Sequence, residues 1–581
     1  MKQNDPAIKV ETPEPSATSL LDSRLHAAAA RFTMGLSPIA MGLAMTDWSL
    51  HLAAAPGRQI ELANLALKSG MEVTQQWGAS WLASGQSKSD NGGNADKPGK
   101  PDNQWQASME KVHDWWRQAT HVRGVTPHHQ QVNEFMINQM FAVAEPANWP
   151  LTHPEAIKAA ILSGGQSLLK GGESLIADLQ KKIGLGAPEE VSQYRVGENI
   201  AATPGHVVYR NHLVELIQYT PQTKTVHPEP ILIVPSWIMK YYILDLSPHN
   251  SMVNYLVQQG HTVFILSWHN PDKSDSMLGM NDYLQQGIFD VLTELTKFTK
   301  QVPVHTVGYC LGGTLLAIAV AALSRPEKVP GFEGMATIKS MTLLAAQTDF
   351  SEPGEMGVLI DDSQVHMIED LMVDKGYMSG AQMAGSFQFL NSRDLVWNKR
   401  LREYLLGVRD SGSDMMAWNE DVTRLPARMH GEYLHQFFLE NALAEGHYQV
   451  EGKPVSLLDI RVPVFAVGTV RDTVSPWKSV YKIMRLTRTD ITFLLASGGH
   501  NVGIVSEPGN PKASYQVQAQ GGDDLVMSPA QWEESAKKQA GSWWPCWESW
   551  LAGLSGPHRA PPRVSKNSEA APGTYVFKRH H

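Results

Sequence analysis

The sequence predicts an α/β fold, a mostly parallel sheet flanked by helices, interrupted by a helical cap and preceded by a mostly helical N-terminal region. Three observations predict it. Six short runs rich in Val, Ile and Leu (Ile231–Pro235, Thr262–Ser267, Val304–Val307, Met341–Ala345, Val462–Val467 and Ile491–Leu495) are separated by helix-length segments. Strands buried on both faces, as in a parallel sheet, read this way. The strand pattern stops between Asp349 and about Asp459, where helical periodicity dominates, which predicts a cap over residues 350–455. Before Pro204-Gly205 the periodicity is helical.

In chain order, residues 1–25 carry mixed charges and prolines with too few apolar groups to offset the entropy of ordering, so a disordered tail is expected. Residues 26–84 read as a helical segment with Met-rich and Ala-rich stretches such as Ile39–Met45. Residues 85–103, GQSKSDNGGNADKPGKPDN, have the composition of a flexible linker. Residues 104–200 read as a helical N-terminal domain with breaks near Pro146 and Pro150, 201–555 as the α/β domain with its cap, and 556–581 as a C-terminal tail. There is no internal repeat.

Composition narrows the function. A chain of 581 residues has room for more than one domain. Its net charge of −9 argues against general nucleic-acid binding, which needs a surplus of Lys and Arg. Two cysteines, Cys310 and Cys546, rule out a disulfide framework or a cysteine-rich zinc site. No signal-peptide run and no stretch of roughly 18 apolar residues occurs, so a cytoplasmic protein without a transmembrane segment is expected. No metal-ligand cluster appears at local spacing and no G-x-x-x-x-G-K-[ST] loop is present, so neither a metal nor a cofactor is expected.

One motif carries chemistry. The strand Val304–Val307 runs into Gly308-Tyr309-Cys310-Leu311-Gly312-Gly313 and then the helix-forming Thr314-Leu-Leu-Ala-Ile-Ala. This is the G-x-S-x-G nucleophile elbow of α/β-hydrolase folds, with cysteine in the serine position. The elbow sets its nucleophile at the start of a helix, whose positive end favours the thiolate. A lone cysteine beside a turn is usually packing, but two partners follow in the order such a triad requires. Asp472 lies in the loop after strand Val462–Val467, and His500 lies in Gly498-Gly499-His500 after strand Ile491–Leu495. In these roles His500 moves the proton while Asp472 holds the imidazole tautomer and stabilises its cation. The oxyanion needs two backbone N–H donors. Leu311 follows the nucleophile and supplies one; the other comes from the loop after Ile231–Pro235, where Ser236, Trp237 and Ile238 are the candidates.

With these residues in view, the chain closely resembles the polyhydroxyalkanoate synthases, bacterial enzymes that polymerise (R)-3-hydroxyacyl-CoA at storage granules. The resemblance extends from about Trp105 to Leu551. It rests on Gly197-Glu-Asn-Ile-Ala-Ala-Thr-Pro-Gly205, Leu216-Ile-Gln-Tyr219, Trp237-Ile-Met-Lys-Tyr-Tyr-Ile-Leu-Asp-Leu246 and Ser267-Trp-His-Asn-Pro-Asp272. The elbow, Thr348-Asp-Phe-Ser-Glu-Pro-Gly354, Asp472 to Trp477, Gly499-His500 and Gly541-Ser-Trp-Trp-Pro545 complete it. Asp47-Trp-Ser-Leu-His-Leu52 through Pro56-Gly57-Arg58 looks like an extra N-terminal motif of some members. Met239 stands where the family often has Asn and His269 where it often has Arg; both departures are expected near the pocket, where they bear on substrate preference.

The resemblance implies that Cys310, Asp472 and His500 form the catalytic triad, and that the acyl path runs beneath the cap near Trp418 and Asn441. It also implies single-subunit, class I-like architecture, a homodimer, a granule-bound location and a possible granule-coating partner. CoA thioester is then substrate and CoA product, with no separate cofactor. Cap aromatics such as Trp397, Trp418, Tyr433 and Phe437 offer a wall against water, the competing nucleophile. A thioesterase or intracellular polyester depolymerase with the same triad is the rival enzyme; a silent granule scaffold, with Cys310 as packing, is the rival from another class.

Overall fold

In a computed structural model the described residues are 17–33, 35–86, 101–144, 153–182, 193–299, 302–326, 334–383, 400–408, 412–562 and 568–579. The centre is a ten-stranded sheet formed by β1 (Gly205–Arg210), β2 (Val214–Tyr219), β3 (Ile231–Val234), β4 (Val263–Trp268), β5 (Val304–Tyr309), β6 (Ile338–Leu344), β7 (Val464–Thr469), β8 (Ile491–Ala496), β9 (Ser514–Gln520) and β10 (Lys537–Ala540). Their order is β1-β2-β4-β3-β5-β6-β7-β8-β9-β10. Strands β4-β3-β5-β6-β7-β8 run parallel. They correspond to the six apolar runs of the sequence, and β3, β4, β5 and β7 are buried along their whole length. Antiparallel pairs extend the sheet on both sides, β1-β2 beyond β4 and β9-β10 beyond β8.

The parallel order matters for function because it places every β-to-α loop at one end of the sheet. The loops after β3, β5, β7 and β8 therefore share an edge, as ligand sites of parallel sheets do.

The cap fills the chain between β6 and β7. Its helices Glu355–Val358, Asp362–Met372, Asp414–Glu420 and Ala427–Tyr433 are joined by the π-helical turns Arg400–Leu405 and Leu434–Leu439. Trp397, one of the expected wall residues, lies outside the described residues.

Among the described residues, the helices that precede the sheet are α1 (Ala17–Phe32), α2 (Pro38–Ala53), α3 (Pro56–Gln86), α4 (Pro101–Thr120), α5 (Pro127–Ala144), α6 (Pro154–Leu162) and α7 (Gln166–Lys182). Each of α2 to α6 begins at a proline, whose missing N–H is no loss at a first helical position. Ser37 caps α2 by accepting from Ala40 N, and His153 caps α6 through Glu155 N and Ala156 N. This region docks on the cap. Gln364 accepts from Ser37 N at 2.7 Å and donates to Gly35 O at 2.7 Å, while Arg24 reaches Asp374 and His26 reaches Asp370.

Three boundaries differ from the sequence reading. Helix α1 starts at Ala17, within the segment expected to be disordered to residue 25, and it meets the cap through Arg24 with Asp374 and His26 with Asp370. Of the expected linker 85–103, residues 87–100 lie outside the description, while α3 reaches Gln86 and α4 starts at Pro101. The expected tail after residue 555 is instead a strap on the sheet domain. Arg559 exchanges backbone bonds of 2.8 Å with Val226, and Thr574 and Tyr575 donate backbone N–H to the buried Glu215. Val576 is fully buried. Val207 N donates to Glu569 O and Ala571 N to Gly205 O, each at 2.9 Å, and such scattered ties carry too little regularity for periodicity to reveal.

Candidate active site

Strand β5 ends at Tyr309 and the helix Leu311–Leu323 begins at the next residue but one, so Cys310 alone makes the turn. Its φ of 52° and ψ of −127° are costly for a residue with a Cβ, on the order of 1–3 kcal/mol. The turn is held by Cys310 N donating to Leu344 O and Gly313 N donating to Cys310 O, both at 2.9 Å. Close approach explains the flanking glycines. A Cβ on Gly308 would lie 2.3 Å from the Gly313 Cα, and one on Gly312 would lie 2.3 Å from Val234 O and 2.4 Å from Pro235 O. The second contact also packs the end of β3 and its following loop against the start of the Cys310 helix.

Asp472 follows β7 and its carboxylate is fully buried. Oδ1 accepts from Val474 N at 2.9 Å and Ser475 N at 2.7 Å; Oδ2 accepts from Thr469 Oγ1 at 3.1 Å and pairs with His500 Nδ1 at 2.8 Å. With Nδ1 taken, Nε2 is the nitrogen left for Cys310, to which His500 is hydrogen-bonded. Burial works against a charged His500, but the Asp472 carboxylate and the Cys310 thiolate overrule it and raise the imidazole to about 10. The structure thus brings the three sequence-predicted residues, Cys310, Asp472 and His500, together in one buried cluster.

The His500 loop has its own supports. Trp543 Nε1 donates to Gly503 O and Trp544 Nε1 to Ile504 O, each at 2.9 Å, and Ser542 Oγ bonds Ser506 O. The motif Gly541 to Pro545 is therefore a clamp on the histidine loop. Tyr309 Oη donates to Asn501 Oδ1 at 2.6 Å and its ring lies 5.7 Å from that of His500.

Leu311 takes the first helical position, where its N–H has no acceptor within its own helix. In the facing loop, Pro235 O accepts from Trp268 Nε1 at 2.9 Å, Trp237 O from Thr423 Oγ1 at 2.6 Å and Ile238 O from Thr423 N at 3.2 Å. Because a trans peptide sets N–H opposite C=O, the Ile238 N–H points away from Thr423. The Ser236 hydroxyl is buried and has no partner among the described residues.

Above the thiol, Phe350, Tyr433, Phe437 and Phe438 pack with ring centroids 5.3–6.3 Å apart. Burial, and then the Cys310 charge, push the Tyr433 phenol well above its usual range. Cys310 is only 9% exposed. Phe350 and Phe438, like Tyr309 and Asn501, were not singled out in the sequence, where an aromatic in a helical insertion looks like any core residue.

Trp418 and Asn441 are engaged within the protein. The Trp418 indole donates to Lys240 O at 2.8 Å; Asn441, at φ 48°, accepts from Phe350 N at 2.8 Å and reaches Asp349. Met239 bridges to Val422 of the cap. His269, expected near the pocket, faces the C-terminal strap instead, bonded to Asp275 at 3.2 Å and to Lys578 at 3.2 Å and packed on Tyr575. Two clusters of metal-capable groups also form, His212 with His269 and Asp275, and His227 with His261 and Glu548. Each cluster draws on separate segments of the chain, which is why local spacing showed none.

Comparison with known proteins accords with this geometry. The family model of the poly-beta-hydroxybutyrate polymerase (PhaC) N-terminus matches residues 102–256, that of the poly-beta-hydroxybutyrate polymerase N terminal matches 16–58, and that of the alpha/beta hydrolase fold matches 229–507. The chain is 36% identical over 78% of its length, and 74% of the relative's, to the poly(3-hydroxyalkanoate) polymerase of Methylorubrum extorquens. It is 36% identical over 76% of its length, and 75% of the relative's, to the poly(3-hydroxyalkanoate) polymerase subunit PhaC of Cupriavidus necator. A relative of the same name from Rhizobium meliloti is 35% identical over 80% of this chain and 75% of its own. An α/β-hydrolase-type sheet with a cysteine elbow and both polymerase N-terminal regions occur together in this sequence, and the chain belongs to the poly(3-hydroxyalkanoate) polymerase family of acyltransferases.

Proposed function

We propose that the protein polymerises (R)-3-hydroxyacyl-CoA into polyester through a thioester on Cys310. The observation that carries the reading is the convergence of Cys310, set at the strained turn between β5 and its helix, with a buried His500 held by Asp472 at 2.8 Å. The thiolate attacks the acyl-CoA carbonyl, and the collapsing intermediate expels CoA thiolate, which takes the His500 proton and leaves as CoA. His500 is then neutral. It accepts the hydroxyl proton of a second hydroxyacyl-CoA, whose oxygen attacks the Cys310 thioester; the ester forms, Cys310 departs as thiolate and the ion pair is restored. The lengthened acyl-CoA reloads Cys310 in the next round. Thioester exchange is nearly balanced in energy, whereas passing from thioester to oxygen ester is downhill.

The oxyanion of each step is assigned to the Leu311 N–H and one donor of the 236–238 loop, either the Trp237 or the Ile238 N–H, with the buried Ser236 hydroxyl beside them. The aromatic cluster around Tyr433 excludes water, which decides between a synthase and a hydrolase. Trp418 and Asn441 hold this cap over the acyl path. The granule surface, a homodimer and a granule-coating partner belong to the same reading through the family.

Incubating the protein and Cys310→Ala with (R)-3-hydroxybutyryl-CoA, while following CoA thiol, turbidity and chloroform-soluble polyester, tests it. Thiol and polymer together, both absent from the variant, are expected. Thiol release with only free 3-hydroxybutyrate overturns it in favour of a thioesterase or depolymerase; no release points to a silent scaffold.

A further inference from the structure

We propose that Lys240 and the C-terminal strap position the oxyanion loop 236–238, a role that rests on the acyl transfer assigned to Cys310. Lys240 is a positioning residue here: it acts through the loop and does not touch the reacting atoms.

A loop that turns backbone N–H groups toward a developing oxyanion has only its carbonyls and its flanking residues left to hold it. The carbonyls are engaged in this way. Trp237 O accepts from Thr423 Oγ1 at 2.6 Å, Ile238 O from Thr423 N at 3.2 Å, and Lys240 O from the Trp418 indole at 2.8 Å. Thr423 and Trp418 both belong to the cap, so these bonds fix the loop relative to the cap and leave open what fixes the pair relative to the sheet.

The strap supplies that fixed point. Thr574 N and Tyr575 N each donate to the buried Glu215 of β2 at 3.0 Å, Tyr575 Oη donates to Asn211 O at 2.7 Å, and Val576 is buried. From this base the turn Tyr575–Phe577 presents its last carbonyls to Lys240, whose Nζ donates to Tyr575 O at 3.2 Å and to Lys578 O at 2.8 Å. Lys578 O also accepts from Asn270 Nδ2 at 2.9 Å, while Asn270 Oδ1 accepts from Arg424 N of the cap at 2.9 Å. One turn of strap thus ties together the segment after β3, the segment after β4 and the root of the cap.

The chemistry of the side chain points the same way. Lys240 is only 3% exposed, and an ammonium is a costly group to bury unless acceptors meet it. Burial lowers it to about 8, with the Asp421 carboxylate countering, so it stays charged near pH 7. The carbonyl end of a helical turn attracts such a cation. Both strap carbonyls keep a second partner, Tyr575 O from Lys578 N at 3.3 Å and Lys578 O from Asn270, so Lys240→Met strands neither of them.

The test compares two reactions of Cys310 in the full chain, wild type and Lys240→Met. Alkylation by iodoacetamide, read by mass spectrometry of the Cys310 peptide, displaces iodide at a tetrahedral carbon and builds no oxyanion. Acylation by (R)-3-hydroxybutyryl-CoA, read as CoA thiol release in the first turnover, builds one. Lys240→Met is expected to alkylate at the wild-type rate and to acylate about 10²-fold more slowly at saturating substrate, with the half-saturating concentration unchanged. If Lys240→Met does not fold, Asn270→Asp carries the same test, since it keeps the acceptor for Arg424 N and loses the donor to Lys578 O. Acylation equal to wild type overturns the assignment, as does a fall in alkylation that matches the fall in acylation, which marks a general support of the Cys310 region. A wild-type chain that is alkylated but releases no thiol overturns the acyl transfer itself, and the role of Lys240 with it.

Discussion

At Cys310, function depends on a backbone conformation and a proton position together. The left-handed φ aims the thiol out of the turn, and the Asp472–His500 pair sets the charge that meets it. Asp472→Asn keeps the shape but removes the carboxylate that fixes the imidazole tautomer. A fall in kcat of about 10³–10⁴-fold, with little change in Tm, is expected from steady-state thiol release. The pH dependence follows from the same contact. An imidazole in the unfolded chain titrates near 6.5, while folded His500 titrates at about 10. A raised pKa means that this pairing stabilises the fold fully below pH 6.5 and is lost as pH rises through 10. Cys310→Ala removes one of the two anions, so the His500 midpoint, followed by imidazole NMR, should fall; an unchanged midpoint would mean the thiolate does not sustain the imidazolium. These three residues were legible in sequence because a strand, a turn of three glycines and two later strand ends fix their order. Tyr433, Phe350 and the Thr423 contact to the oxyanion loop were not, since only tertiary packing brings cap residues onto a loop two hundred positions earlier.

Among the elements, the parallel strands were read correctly because burial on both faces leaves predominantly apolar runs. Of the flanking strands, β2 is buried throughout but carries Glu215 and Gln218, while the outer edge escaped notice for the opposite reason. β10, Lys537–Ala540, is exposed along its length, as suits the edge of a sheet, where charge discourages further pairing. The same distinction governs which elements are vulnerable. The His500 loop has few backbone bonds of its own and depends on the indoles of Trp543 and Trp544. Trp543→Phe keeps the ring but strands the buried Gly503 carbonyl, at a cost of about 1–3 kcal/mol. A lowered Tm with a disproportionate loss of kcat is expected, and a Tm loss alone would show that the clamp does not position the histidine. The cap is tied to α1 and α2 through Gln364, whose amide bonds both Gly35 O and Ser37 N. Gln364→Ala removes both contacts and should expose the segment around residue 35 to limited proteolysis while leaving β5 and β7 protected in hydrogen exchange.

Over the whole molecule, burial and exposure are divided unevenly. The sheet domain encloses its apolar residues, whereas the N-terminal helices display theirs. On α2, Ile39, Leu43 and Leu50 are exposed; on α3, Ile60, Leu67 and Met71; on α7, Leu168, Leu175 and Leu179. Their spacings of four and seven residues put each set on one helical face. Three apolar stripes turned to solvent mark a contact surface, and an enzyme making a water-insoluble polymer has such a surface at hand in its own product. No helix among the described residues is long and apolar enough to cross a membrane, so this contact would be lateral, along helix faces. Changing Leu43, Leu50 and Leu67 together to Glu puts charge on two of the stripes without touching the sheet or the triad. Partition of the variant into sedimented polyester should drop severalfold, while initial thiol release from soluble (R)-3-hydroxybutyryl-CoA, before polymer accumulates, stays near wild type. If the variant sediments with polymer as the wild type does, the stripes are not the surface that meets polyester.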